Sequence, residues 1–363
     1  DGRIEEKIYN EYMELGLRYP PTFTQVSTTE EAAAVLRSTV IDLVICMPGN
    51  ADNDAFDVAR DIKGKFPNIH CVVLTPFSHG ITKRMQNEDL SIFDYVFCWL
   101  GNTNLILSKI GRRRVGKIIK LIEDKMNLEH DIQEAGVQMI LLVEDSIRFY
   151  SSILPNLYNY ILEQSKNFSQ EALNRHAATM RMRGRPKVVL ARTYEEAQKL
   201  YDKYSDNTLG VISDARFPLK SAAKAFGNEV MPEEKPKHRT DTFGREKCPD
   251  TGLQLFRYIR KNDPFVPLII ESSESENRAK AEAEGFRFVD KNSKKMSVDL
   301  RRLMEEHMGF GDFIFRDPKT HEEIMRIHSL KELQDNIFNI PNDSMLYHIS
   351  RNHMSRWLCA RAI

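Results

Sequence analysis

An internal repeat constrains this chain more than any other feature. Ser27-Thr28-Thr29-Glu30-Glu31-Ala32 and Thr193-Tyr194-Glu195-Glu196-Ala197 both read as the opening of a helix. In each, a hydroxyl can accept the first free N–H groups, and a glutamate three residues on can reach back. A short strand is expected before each box, at residues 23–26 and 188–191. At one shared offset come residues 43–46 and 209–213, and beyond them 72–74 and 268–270, then 95–97 and 286–289. Short apolar runs alternating with helical patterns indicate parallel strands buried on both faces. The expected fold class is therefore α/β, with two doubly wound domains joined by a long helix over about residues 104–134.

The copies are unequal. The second begins with an additional apolar strand, Met139-Ile140-Leu141-Leu142-Val143, running into Glu144-Asp145. The first has no such strand, although it would occupy the centre of the sheet. Two insertions mark the second copy: residues 167–185 lengthen its first crossover, and 219–248 form a charged, loop-like segment beside the third strand. The domains expected are 1–125, a helical linker 126–136, the second copy at 137–306, and a helical module at 307–363. At roughly 150 residues per domain, a length of 363 agrees. The chain opens at Asp1 in an amphipathic pattern and closes at Ile363 in a helical one, so an excised fragment of a longer polypeptide is expected.

Composition narrows the class. A 41% hydrophobic content excludes general disorder, and no run reaches the ~18–20 apolar residues of a membrane span. Five scattered cysteines without a C-x-x-C pair fit a reducing cytoplasmic compartment with buried thiols. Lys and Arg total 52 against 52 Asp and Glu, which speaks against a dedicated nucleic-acid binder.

In an open α/β sheet, ligands bind at the carboxyl ends of the strands. In the second copy those ends carry Glu144, Asp145, Asp214, Ser272 and Lys291. Three converging carboxylates repel one another unless a cation joins them, and a hard divalent ion such as Mg²⁺ suits all-oxygen ligands. The added hydroxyl and ammonium are donors for phosphoryl oxygens. The set fits capture of a phosphoryl group by a carboxylate.

These residues resemble a response-regulator receiver domain over 137–306. The matching pieces are Leu142-Val143-Glu144-Asp145-Ser146, Ser213-Asp214-Ala215-Arg216-Phe217-Pro218, Thr251-Gly252-Leu253, Pro267-Leu268-Ile269-Ile270-Glu271-Ser272 and Phe288-Val289-Asp290-Lys291. The resemblance implies a flavodoxin-like fold and Asp214 as phosphoacceptor. It implies Mg²⁺ on Glu144, Asp145, Asp214 and the Arg216 backbone carbonyl, Ser272 as switch hydroxyl, Phe288 as switch aromatic and Lys291 on the phosphoryl group. Receivers usually carry Asp where Glu144 stands, and Ser273 offers a second hydroxyl one residue on. A histidine kinase or phosphotransfer protein is the implied partner, and Asp214 takes part only in its own modification, which is not turnover of a separate substrate.

The first copy lacks this chemistry. Met47 and Pro48 fall where Asp214 falls in the second, Thr75 retains a hydroxyl, and Cys98 followed by Trp99 occupies the lysine position. Asp52 and Asp54 lie in the following loop and read as solvated. Residues 1–125 are expected to be a pseudo-receiver serving packing or homodimerisation.

Other motifs read as structural. Gly111-Arg-Arg-Arg-Val-Gly116-Lys117 has the look of a phosphate loop, but Ile118 stands where Ser or Thr must reach Mg²⁺. Arg183-Gly184-Arg185-Pro186 reads as punctuation between a helix and a strand. His348 and His353, five apart, miss the spacing that puts two ligands on one helical face, and read as packing with Tyr347 and Trp357. Met180, Met182 and Met304 read as gap fillers. In the C-terminal piece, helices are expected from about His321, Ser329 and Asp343. The string from Pro341 through Tyr347, Arg351, Asn352 and His353 to Trp357 resembles a linker module of phosphoenolpyruvate synthase-like proteins. Two further readings therefore stand beside the signalling module: the regulatory part of a phosphoenolpyruvate synthase or pyruvate phosphate dikinase-like enzyme, and a non-phosphorylated scaffold.

Overall fold

The computed structural model describes residues 6, 9–10, 12–13, 20–47, 54–76, 92–99, 119–219 and 250–363. Both repeat boxes fold as capping boxes. Thr28 Oγ1 accepts from Glu31 N at 3.2 Å, and Glu31 accepts from Ser27 N at 2.9 Å, opening α1 (Thr29–Ser38). Thr193 Oγ1 accepts from Glu196 N at 3.2 Å, and Glu196 accepts from Arg192 N at 2.9 Å.

The first sheet holds β1 (Leu43–Cys46), β2 (His70–Pro76) and β3 (Tyr95–Trp99), parallel and in that order. Helix α2 (Ala55–Lys65) packs its Phe56, Ala59 and Ile62 against them. Residues 23–26, expected as a strand, are not one. They would pair with a central strand preceding α1, and no described residue supplies it. Phe23 packs instead near Tyr12 and Ile119.

The linker is helical over 119–126, turns at Asn127 and continues as α3 (Leu128–Ala135), which Gly136 ends with φ 61°. Residues 104–118 of the expected long helix lie outside the described residues. Asp124 on this linker accepts two hydrogen bonds from Arg185, at 2.9 and 3.0 Å, and one from the Tyr158 hydroxyl at 2.9 Å. Lys187 binds Asp131. Asp124 and Arg185 are both buried, and burial, which would raise the Asp124 pKa, is outweighed by the guanidinium, which holds it below the ordinary carboxylate range.

The second sheet has five parallel strands, β4 (Met139–Val143), β5 (Lys187–Ala191), β6 (Thr208–Asp214), β7 (Leu268–Ser272) and β8 (Arg287–Asp290). Their order is β5-β4-β6-β7-β8, which within this unit reads 2-1-3-4-5, the flavodoxin-like doubly wound arrangement. One face, including Ile140, Leu142, Ile212, Ile269 and Val289, lies under α4 (Ile147–Gln170) and α9 (Met296–His307). The other, including Leu141, Val143, Val211 and Ile270, lies under α6 (Tyr194–Tyr204), α7 (Thr251–Asn262) and α8 (Glu276–Ala283).

Helix α4 also closes the first sheet. Strand β3 is an edge, and an open edge presents unpaired backbone groups. The Tyr150 hydroxyl donates to the Val96 carbonyl, Cys98 N donates to Ser151 Oγ at 3.0 Å, and the Tyr150 ring meets Phe97 edge-on at 5.5 Å. The two sheets thereby share one apolar core.

The insertion at 167–185 extends α4 and adds α5 (Arg175–Arg183), which Gly184 ends by donating to Met180 O at 2.8 Å. Its far end receives the C-terminal piece: Leu330 N donates to Glu171 at 3.1 Å, and the Arg361 guanidinium lies 4.2 Å from the Phe168 ring. That piece is not purely helical. The helix expected from His321 is a hairpin, β9 (Phe313–Arg316) against β10 (Glu323–Ile327). Asp317 accepts from Lys319 N and Thr320 N at 2.8 and 2.9 Å, and His321 adopts φ 62°, so the chain reverses instead of winding on. Helices α10 (Leu330–Asn336), α11 (Asn342–Ile349) and α12 (His353–Ala360) follow. Among the described residues no helix is long and apolar enough to cross a membrane, and Cys46, Cys71, Cys98 and Cys359 are free thiols.

Candidate functional site

The carboxyl edge of the five-stranded sheet gathers the polar residues named from the sequence. Strand β4 delivers Glu144 and Asp145, and β6 delivers Asp214. One carboxylate oxygen from each lies within 4.8 Å of the others, and all three residues are buried. Among the described residues this is the one cluster of its kind. An all-oxygen set of this size fits a hard divalent cation better than a soft metal. Glu144 also accepts from Ser146 N at 2.9 Å, at the entrance to α4.

Lys291, just past β8, sends its ammonium into this cluster. It binds Glu144 and lies 3.0 Å from Asp214 Oδ1, and the Phe149 ring covers it at 4.6 Å. Burial favours the neutral amine, but Asp214, Glu144 and Glu271 outweigh it and hold the pKa above the usual lysine value. The Lys291 and Glu144 side chains are 1% and 0% exposed, whereas that of Asp214 keeps 12%. Asp214 is thus the member of this trio that outside molecules can approach.

A fourth carboxyl escaped sequence reasoning. Glu271 stands in strand register with Asp214, is 1% exposed, and neither of its oxygens has a hydrogen-bond partner. Burial pushes its pKa up to about 8; Lys291 pulls it down, and Glu144 and Asp214 add to the rise. The available signal was an acid inside the apolar run Pro267-Leu268-Ile269-Ile270-Glu271.

Ser272 is buried and Ser273 exposed. Ser272 Oγ accepts from Asn277 Nδ2 at 2.8 Å and from Glu274 N at 3.1 Å. Asn277 was not singled out from the sequence, because an asparagine in a polar helix has no signature. Phe288 is half-buried, with the Arg278 guanidinium 4.6 Å over its ring. The Arg216 guanidinium pairs with Glu274 at 3.0 Å, tying the loop after β6 to the loop after β7. Gly252 explains the Thr251-Gly252-Leu253 signal. Its N–H donates to Ala215 O at 3.0 Å, and a Cβ there would lie 2.3 Å from the Asp214 carbonyl oxygen.

In the first sheet, Met47 follows β1, while Thr75 on β2 and Cys98 on β3 are buried, so no acid cluster forms at its described strand ends. Asp54 caps α2, accepting from Phe56 N at 2.8 Å. Asp52, most of the insertion 219–248, and Gly111–Ile118 lie outside the described residues. His348 and His353 do meet, Nδ1 to Nδ1 at 3.0 Å, because they sit on two helices separated by a break at Asn352, φ 57°. His348 Nε2 accepts from Arg316 N at 3.0 Å, so in its neutral form it carries its proton on Nδ1 and donates to His353. They pack against Tyr347, as expected, and His348 also against Phe313 and Phe315. Met182 and Met304 fill core gaps, but Met180 is half exposed.

No family model and no curated protein matches the chain. Three solved chains are similar to it, and two of these each match about half of it. One is the crystal structure of a response regulator receiver domain protein from Clostridium thermocellum, 16% identical, covering 47% of this chain and 94% of that one at a TM-score of 0.27. The other is a two component transcriptional regulator AraC from Clostridium phytofermentans ISDg, 14% identical, covering 48% and 93% at a TM-score of 0.26.

Proposed function

We propose that residues 137–306 act as a phosphoryl-accepting receiver, with Asp214 as acceptor, and that residues 1–125 are a pseudo-receiver that packs on it. The observation that carries this reading is the convergence of Glu144, Asp145, Asp214 and Lys291 at the carboxyl edge of a 2-1-3-4-5 sheet. Glu144, Asp145, Asp214 and the Arg216 backbone carbonyl are the residues that would hold Mg²⁺. When bound, the ion would neutralise charge on phosphoryl oxygens.

An Asp214 carboxylate oxygen attacks phosphorus, the bond from phosphorus to the donor breaks, and the leaving group departs with that electron pair. Glu144 and Phe149 fix Lys291, so its ammonium meets the developing charge without reorganising. As the bond to Asp214 forms, Ser272 donates its hydroxyl to a phosphoryl oxygen, and Phe288 then reports the change at the surface by a population shift. The phosphoryl source is a histidine kinase or phosphotransfer protein.

The test is incubation with acetyl phosphate and Mg²⁺ followed by intact mass. A base-labile adduct of one phosphoryl group is expected on the parent and is absent from Asp214→Asn and from samples in EDTA. An adduct that persists in Asp214→Asn overturns the assignment.

A further inference from the structure

We infer that Asn277 is a positioning residue that presets Ser272 as a hydrogen-bond donor toward the phosphoryl group on Asp214; this rests on the acceptor reading above. A serine hydroxyl has two lone pairs and one proton. In Ser272 both lone pairs are engaged, one by Asn277 Nδ2 at 2.8 Å and one by Glu274 N at 3.1 Å. Only the proton remains, and among the described residues nothing accepts it. Ser272 is 3% exposed and Asn277 2%, so neither relies on bulk water.

The amide orientation follows from the surroundings. The same Asn277 nitrogen lies 3.5 Å from Glu274 Oε2, an acceptor, so that atom must be the NH₂ and not the carbonyl oxygen. Glu274 Oε2 is in turn bound by Arg216, two residues beyond Asp214. Strand pairing sets Asp214 opposite Glu271, and Ala215 N donates to Glu271 O at 3.0 Å, which puts Ser272 beside the loop that carries the acceptor. Asn277 is otherwise costly: an inward-turned amide on α8, between exposed Glu276 and Arg278, loses its hydration and regains it only through these contacts.

With Asn277 truncated, one lone pair of Ser272 reopens and the hydroxyl rotates among alternatives. The test measures the rate of adduct formation from acetyl phosphate with Mg²⁺ for Asn277→Leu and Asn277→Ala, each in the parent and in Ser272→Ala. A slowing of about tenfold is expected in the parent, the size of one hydrogen bond to an anion. In Ser272→Ala the same substitutions add nothing, because Asn277 acts through the hydroxyl. Equal slowing in both backgrounds, or none in the parent, overturns the positioning role while leaving Asp214 as acceptor. Two variants guard against misfolding in one, with melting temperatures taken alongside. Absence of adduct on the parent overturns both readings.

Discussion

Lys291 Nζ lies 3.0 Å from Oδ1 of Asp214, and Glu144 holds the same ammonium from another strand. The buried Lys291 ammonium thus serves a site in which Glu144, Asp145 and Asp214 converge and Glu271 stands close behind.

Removing Lys291 takes from buried Glu144 and Asp214 a cation that pairs with both. Lys291→Met should destabilise the protein in EDTA by about 3–5 kcal/mol. Millimolar Mg²⁺ should recover a larger share of the melting temperature in this variant than in the parent. Thermal unfolding with and without the ion checks it, and an unchanged melting temperature in EDTA would contradict the cluster.

Stability should peak near neutral pH. Burial holds His307, His348 and His353 down to about 4, from an ordinary 6.5. Between these values the unfolded chain binds more protons, so stability is lost as pH falls through that window. Glu271 acts oppositely. With its pKa raised from 4.5 to about 8, the folded chain keeps a proton that the unfolded chain releases, so stability falls as pH rises toward 8. Denaturant unfolding in EDTA across pH should show both limbs, and Glu271→Gln should flatten the alkaline one.

Gly252 admits no side chain without moving the Asp214 carbonyl. Gly252→Ala should lower the melting temperature and also weaken Mg²⁺ binding, read by calorimetry. A purely structural glycine would change the first without the second.

The linker is fastened through Asp124 and Arg185. Removing either partner takes from the other its bidentate buried counter-charge, so Asp124→Asn and Arg185→Met should each cost about 3–5 kcal/mol. The double variant should cost much less than their sum, in a cycle read by chemical denaturation.

The periodic parts of the fold were legible in the sequence. Capping boxes at Thr28 and Thr193 and the apolar run Met139–Val143 act locally, and both structures follow. The placement of Glu144, Asp214 and Ser272 at strand ends was legible because each closes an apolar run, and Asp145 and Lys291 lie just past strand ends. Features that arise only from tertiary contact were not. Glu271, Asn277 and Phe149 acquire meaning from neighbours far along the chain, and Arg185 looked like punctuation until Asp124 packed against it. The strand expected at residues 23–26 failed because pairing needs a partner, and the helix expected at His321 failed to a turn built by Asp317.

The most direct test of the central claim is chemical trapping at residue 214. Borohydride reduces an aspartyl phosphate to homoserine and releases phosphate, leaving a mark that survives digestion. After treatment with acetyl phosphate, Mg²⁺ and borohydride, the peptide containing Ser213-Asp214-Ala215 should carry homoserine in place of Asp214. Homoserine at any other aspartate, with Asp214 intact, would contradict it.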